Sequence, residues 1–454
     1  MQQPVACHVV AMPYPGRGHI NPMMNLCKLI ASKRADVLFT FIVTEEWLGF
    51  LCHEPKPDNI HFATVPNVIP SEKGRGADFP GFYESTLTRL QAPVERLLDR
   101  LVAPPSVIVY DTYLAWVVGV GNRRNVPVAS LWTQPATVFS VLYHYDLLVQ
   151  NGDVQVNLSE RGDEHVNYIP GLPSTRIKDL PTMVYGNGSE VMHRVQEAMS
   201  WVLKAQYLLF TSNYELEAQT IDALKAKLQI PIYSIGPAIP YFKLRDKFSP
   251  ISHDNEPNYV EWLDSQPKAS VLYISQGSFL SVSSAQLDEI VSGVIDSGVR
   301  YLWVTRGEAA RFKRGGDDNR GFVVPWCDQL MVLCHPCIGG FWSHCGWNST
   351  KEGLFAGVPM LTFPIFWDQV PNSKSIVEDW KTGWRVKGEE GVERLVTREE
   401  IAKLVRRFMD LENEEGKEMR RRAKNIKEIC RRGVAEGGSS QTDIDGFIKD
   451  ISQC

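Results

Sequence analysis

No stretch of the 454 residues approaches eighteen uninterrupted apolar positions, so no membrane span is expected. The opening MQQPVACHVVAMPYPG carries no basic leader, and Pro13 interrupts its apolar run. Nine cysteines follow no framework spacing, which points to free thiols in a reduced, cytoplasmic setting. A net charge of −5 leaves no basic footprint for nucleic acid. The one basic run, Arg420, Arg421, Arg422 and Lys424, lies among helix formers and reads as a solvated face. No period of 20–50 residues recurs, which excludes a repeat architecture. The glycine turn Gly16-Arg17-Gly18-His19-Ile20-Asn21 lacks the third glycine of a dinucleotide fingerprint. No apolar stripe marks an interface, so a monomer is expected.

What is present is an ordinary globular composition, 44% hydrophobic and 22% charged, in a chain long enough for two domains. The first half alternates strands and helices: a buried strand over 7–12, a helix from about Ile20 to Ser32, and a strand over 37–43. This is the start of a doubly wound α/β sheet. Further strands are expected over 107–110, 126–130, 208–211 and 231–235. His19 sits where the first turn meets its helix, and Asp111 follows the strand over 107–110. Both fall at carboxyl ends of strands, where such sheets bind ligands. A carboxylate on one imidazole nitrogen fixes the tautomer and raises the basicity of the other. Taken alone, a histidine behind a turn is more often a packing residue, and an aspartate after a strand more often a cap. The apolar, aromatic run from Pro135 to about Gln150 reads as one core helix or as a wall of a pocket.

The stretch over 238–257 is polar and punctuated by proline, as an interdomain linker would be. A second series then begins with strands over 270–275 and 300–305 and a helix over 284–297. Gln276-Gly277-Ser278 follows its first strand, and glycine with a serine hydroxyl suits a phosphate. The strongest signal is CIGGFWSHCGWNSTKEGLFAG, which has the grammar of a buried strand, a tight turn and a helix closed by Gly357-Val358-Pro359. A helix opening behind a strand presents unpaired N–H groups to a diphosphate. Asn348 and Glu352 are four apart and share one helical face. On the residues alone, that pair suits phosphate with the amide and sugar hydroxyls with the carboxylate. Asp368 and Gln369 end the next apolar run.

The 44 residues from Trp326 to Gln369 resemble the nucleotide-sugar signature box of plant UDP-dependent glycosyltransferases. The fixed points are Trp326, Gln329, His335-Pro336, His344-Cys345-Gly346-Trp347-Asn348-Ser349, Glu352, Gly357-Val358-Pro359 and Asp368-Gln369. The opening Trp-Cys-Asp-Gln replaces the usual Trp-Ala-Pro-Gln. With Tyr273-Ile274-Ser275-Gln276-Gly277-Ser278 upstream, this is similar to the family 87 branch. The resemblance implies a GT-B fold, two Rossmann-like parallel-sheet domains facing a central cleft. The domains would run over 1–237 and 258–432, joined by the linker 238–257, with the helix over 433–454 returning to the first domain. It also implies His19 and Asp111 as the catalytic pair, and Gly18, Trp132, Thr133, Phe139 and Tyr143 on the acceptor side. Donor contacts would come from Ser278, Cys327 and Gly346 and from residues with assigned parts. Those are Trp326 stacking on uracil, Gln329 on its edge and Glu352 on the ribose. His344, Asn348 and Ser349 would meet phosphate, and Trp347, Asp368 and Gln369 the hexose.

The expectation is therefore an inverting transfer of glucose from UDP-glucose to a hydroxyl of a small lipophilic acceptor, with carboxyl acceptors also open. Gln369 at the end of the box resembles glucose users. No permanent cofactor and no metal are expected. Cys334, Cys337, His344 and Cys345 hint at zinc, but two are adjacent and the intervening run reads as a strand. Asp443-Ile444-Asp445 reads as surface charge on a terminal helix. The alternative is a catalytically silent nucleotide-sugar or hormone sensor, which would keep the box and lose the base.

Overall fold

The computed structural model describes residues 7–186, 189–245, 258–277, 282–305, 320–386 and 394–452. Ser278 and residues 246–257 of the expected linker lie outside these. The chain divides into two compact units, Met1–Ile239 with Arg432–Cys454, and Pro240–Arg431.

The first unit carries β1 (Cys7–Met12), β2 (Val37–Thr44), β3 (Ile60–Val65), β4 (Val107–Asp111), β5 (Val128–Trp132), β8 (Tyr207–Phe210) and β9 (Ile232–Ser234), with a small pair β6 (His165–Val166) and β7 (Thr175–Arg176) outside the main sheet. The order is β3-β2-β1-β4-β5-β8-β9, and every pair is parallel. The second unit carries β10 (Val271–Ser275), β11 (Arg300–Val304), β12 (Gly321–Val324), β13 (Ile338–Ser343), β14 (Met360–Thr362) and β15 (Gly383–Arg385). Its order, β12-β11-β10-β13-β14-β15, repeats the same winding, again all parallel. In each unit the winding reverses once, between β1 and β4 and between β10 and β13. Crevices at such reversals are where open α/β sheets take ligands.

The central strands are legible because helices cover both faces: β1, β4, β5, β10 and β13 are buried along their whole length. The edge strands β3, β12 and β15 escape pattern reading because they are only partly buried. The expected single helix after Pro135 is two, Ala136–Tyr143 and Tyr145–Asn151. His144 breaks it with non-helical angles, its Nδ1 turned back 2.9 Å onto the Ser140 carbonyl. The first of these helices is capped from far away: Glu217 accepts from Ala136 and Thr137 N–H at 3.0 and 2.9 Å. Burial raises that carboxyl's pKa, and the two N–H bonds oppose the rise.

The terminal helix Ser439–Ile451 packs on β9, with Phe447 between Tyr207 and Tyr233 at 5.7 and 5.8 Å. Asp443 is not surface charge. It is half-buried and accepts from the Ser234 N–H at 2.6 Å, satisfying the outer edge of the sheet.

Candidate functional site

At the reversal of the first sheet, β1 runs into the turn Pro13–Gly16 and the helix Arg17–Lys33, which places His19 in its first turn. β4 ends at Asp111, and the two meet: His19 Nδ1 lies 2.7 Å from Asp111 Oδ2. Asp111 is buried, while 17% of the His19 side chain remains exposed. Because the carboxylate only accepts, Nδ1 carries the proton and Nε2 is the basic atom. The other carboxylate oxygen takes the Tyr113 N–H at 3.1 Å, so Asp111 is held from both sides. Thr133 Oγ1 lies 3.0 Å from Nδ1. That places Thr133 behind the imidazole, on the same edge as the carboxylate, rather than on the side a substrate would use. The rings of Tyr14 and Tyr113 flank His19 at 5.1 and 5.9 Å.

The other residues expected on the acceptor side divide. A Cβ at Gly18 would meet nothing within 4 Å, so that position borders open space. Trp132 and Phe139 are 1% and 0% exposed and pack edge to face at 5.3 Å. The Trp132 indole spends its N–H on the Pro135 carbonyl at 2.8 Å. Both form the backing of a wall rather than a contact surface. Tyr143, half-buried and stacked on Phe139 at 6.2 Å, is the member that reaches solvent.

At the reversal of the second sheet, β10 leads to Gln276-Gly277 and β13 to His344-Cys345-Gly346 and the helix Trp347–Ala356. This helix opens at Gly346 without a side-chain cap, two residues before Asn348, the first capping residue in the sequence. The amino-terminal end of a helix of this length carries the positive end of its dipole, which suits an anion. His344 is wedged between two glycines. A Cβ on Gly277 or on Gly346 would come within 2.5 Å of its Nε2, and Gly277 has a φ of +81° that only glycine adopts without strain. Burial lowers the His344 pKa to about 4. Burial thus favours the neutral imidazole, the form that has one N–H to donate.

Cys345 holds a left-handed φ of +66°, and the surroundings enforce it. Its N–H bonds Ser343 Oγ at 3.0 Å, and its carbonyl accepts from Asn372 Nδ2 at 2.8 Å. Asn372 also donates to Asp368 Oδ2 at 2.9 Å, tying the turn to one of the expected hexose residues. Sequence reading overlooked Asn372. Four residues after Asp368 on a helix, it was findable as an i, i+4 amide–carboxylate pair. Gln369 uses its amide oxygen on the N–H groups of Ile365 and Phe366, at 2.8 and 3.1 Å. Only its NH₂ end is left for a sugar.

Trp326 is 52% exposed, an uncommon position for an indole and a fitting one for stacking. Trp347 is buried, its ring 6.5 Å from Trp380 and 5.9 Å from the Lys351 ammonium. Cys327 is buried as well. Asp328, where the usual box has proline, caps the helix Gln329–Cys334 by accepting from Met331 N–H at 3.2 Å. Gln329 is committed inside the protein. Its Nε2 donates to Ser349 Oγ at 3.0 Å and to Glu352 Oε2 at 2.5 Å. Its amide NH₂ is thus engaged with the two box-helix residues Ser349 and Glu352. Burial lifts Glu352 to about 7. Among the described residues no group of three metal-ligating side chains occurs; Cys337 Sγ instead contacts His335 Nδ1 at 3.0 Å.

Comparison with known proteins agrees with this layout. Residues 247–397 match the family model for UDP-glucoronosyl and UDP-glucosyl transferases. UDP-glycosyltransferase 87A2 of Arabidopsis thaliana is 54% identical across 98% of this chain and 97% of its own length. UGT71G1 of Medicago truncatula, solved with UDP-glucose, shares 25% identity and a TM-score of 0.81 over 98% of each chain. Os79 of O. sativa, solved with U2F and trichothecene, shares 27% identity and a TM-score of 0.83 over 98% of this chain and 100% of its own. Two Rossmann-like units with these turns and these relatives define a glycosyltransferase of the GT-B fold. The chain belongs to the plant UDP-dependent glycosyltransferases of family 1, in the family 87 branch.

Proposed function

We propose that the chain transfers glucose from UDP-glucose to a hydroxyl of a small lipophilic plant metabolite, with inversion at the anomeric carbon. The observation that carries the catalytic half is the 2.7 Å contact between His19 and Asp111. As the acceptor oxygen attacks, His19 Nε2 takes its proton, and Asp111 steadies the imidazolium that forms. The departing UDP is met by the positive end of the helix that starts at Trp347 and by the His344 imidazole N–H. A single in-line displacement on an α-linked donor yields a β-glucoside.

UDP-glucose is favoured as donor by Gln369 at the end of the box and by its presence in the Medicago relative. The aromatic surroundings of His19 favour phenolic and terpenoid alcohols, and carboxylic acids stay in the trial set. All eight described cysteines are free thiols, which supports a reducing, cytoplasmic setting. Among the described residues no helix is long and apolar enough to cross a membrane.

The test is product analysis with UDP-glucose and UDP-galactose against a panel of phenols, terpenols and carboxylic acids. The expected result is acceptor-dependent UDP release, preferred with UDP-glucose, and a product whose anomeric proton shows the large coupling of a β-glucoside. Release with no acceptor dependence, or an α-product, would overturn the proposal.

A further inference from the structure

Tyr273 has no part in the chemistry above. It lies on β10, the central strand of the second sheet, 1% exposed and stacked on Phe341 at 5.2 Å. Its hydroxyl reaches two residues of the box, Gln329 Oε1 at 3.1 Å and Cys327 Sγ at 3.4 Å. The direction of each bond follows from the groups. An amide oxygen only accepts, so the phenol donates to Gln329, and the phenol oxygen is left to accept from the Cys327 S–H. The far end of the same amide donates to Ser349 and Glu352. Thiol, phenol, amide and carboxylate thus form one chain of donors running toward Glu352.

Burial keeps the chain polarised in that sense. It pushes the Cys327 thiol up to about 12 and the Tyr273 phenol well above its usual range, so both keep their protons. Turning the Gln329 amide over would set its oxygen against the Glu352 carboxylate, two acceptors facing each other. The network also accounts for a departure in the sequence, since Cys327 stands where the usual box has alanine and cannot donate.

We propose that Tyr273, backed by the Cys327 thiol, is a positioning residue for the donor. It locks the Gln329 amide so that Glu352 is held as an acceptor for the ribose hydroxyls of the nucleotide. The inference rests on the donor reading given above and adds a residue outside the signature box to it. The phenol touches no substrate and acts through Gln329 and Glu352.

Calorimetric titration of the full-length protein with UDP and with 2′-deoxy-UDP tests this, using wild type, Tyr273→Phe, Cys327→Ala and the double variant. Melting temperatures report whether each is folded. Tyr273→Phe keeps the ring and its stacking and loses only the hydroxyl. It should bind UDP about 5–20-fold more weakly, as loss of a bond feeding a charged acceptor predicts. Its preference for UDP over the 2′-deoxy compound should shrink toward one, a ratio that general loosening would not move. Cys327→Ala should cost about 2–3-fold, and nothing further once the phenol is gone. A folded Tyr273→Phe with the wild-type ratio would overturn the inference while leaving the donor reading intact. Wild type with no affinity for UDP would overturn both.

Discussion

His19 and His344 occupy the reversal points of two sheets with the same winding, yet their surroundings make them opposite in use. His19 has a buried carboxylate on one nitrogen and partial exposure. His344 is enclosed by two glycine backbones, and its pKa is lowered to about 4 by burial. The first arrangement favours an imidazole that accepts a proton and is steadied as a cation. The second favours the neutral imidazole, which can serve as a fixed N–H donor. Topology places a histidine at each turn; the neighbours decide what it can do.

Substitutions should expose that difference. His19→Ala should lower kcat by roughly 10²–10⁴-fold, the range for loss of a general base, with UDP affinity unchanged. Asp111→Asn leaves shape intact and removes the charge that steadies the imidazolium, and should lower kcat by at least about 10-fold. His344→Gln keeps an N–H donor and should retain far more activity than His344→Ala, which should lose roughly 10²-fold as an oxyanion-type donor does. If His344 acted as a cation, the glutamine variant would be as damaged as the alanine one.

Glu352 adds a pH dependence. Its folded pKa is raised from 4.5 to about 7, so the fold favours the protonated form. The associated stability is complete below about pH 4.5 and is lost as pH rises through 7. Glu352→Gln should therefore raise the melting temperature at pH 8, give no gain at pH 5, and weaken UDP binding at both. In wild type, UDP affinity should improve from pH 6 to 8 as the carboxylate forms. The smallest effect is expected from Asp328→Ala, which removes a helix cap and should cost about 1 kcal/mol of stability, measured by denaturant unfolding.

Reading the chain alone located the central strands, the box helix and both histidine turns, because buried strands and glycine turns leave local patterns. It had no access to features made by distant partners. The split at His144 depends on a ring turned back to Ser140, and the cap on the helix before it comes from Glu217, 81 residues away. Asp443 looked like surface charge because the Ser234 N–H it satisfies is 209 residues distant. Within the sites, the residue types were legible and the roles less so. The sequence names Gln329 and His344, but only packing reveals that one is committed to Tyr273, Ser349 and Glu352 and the other is neutral.

The most direct measurement is acceptor-dependent UDP release by His19→Ala beside wild type, with UDP binding followed calorimetrically on the same samples. The account predicts that release falls by at least about 10²-fold while UDP binds as tightly as before. Release at the wild-type rate from a variant that binds UDP normally would contradict His19 as the base.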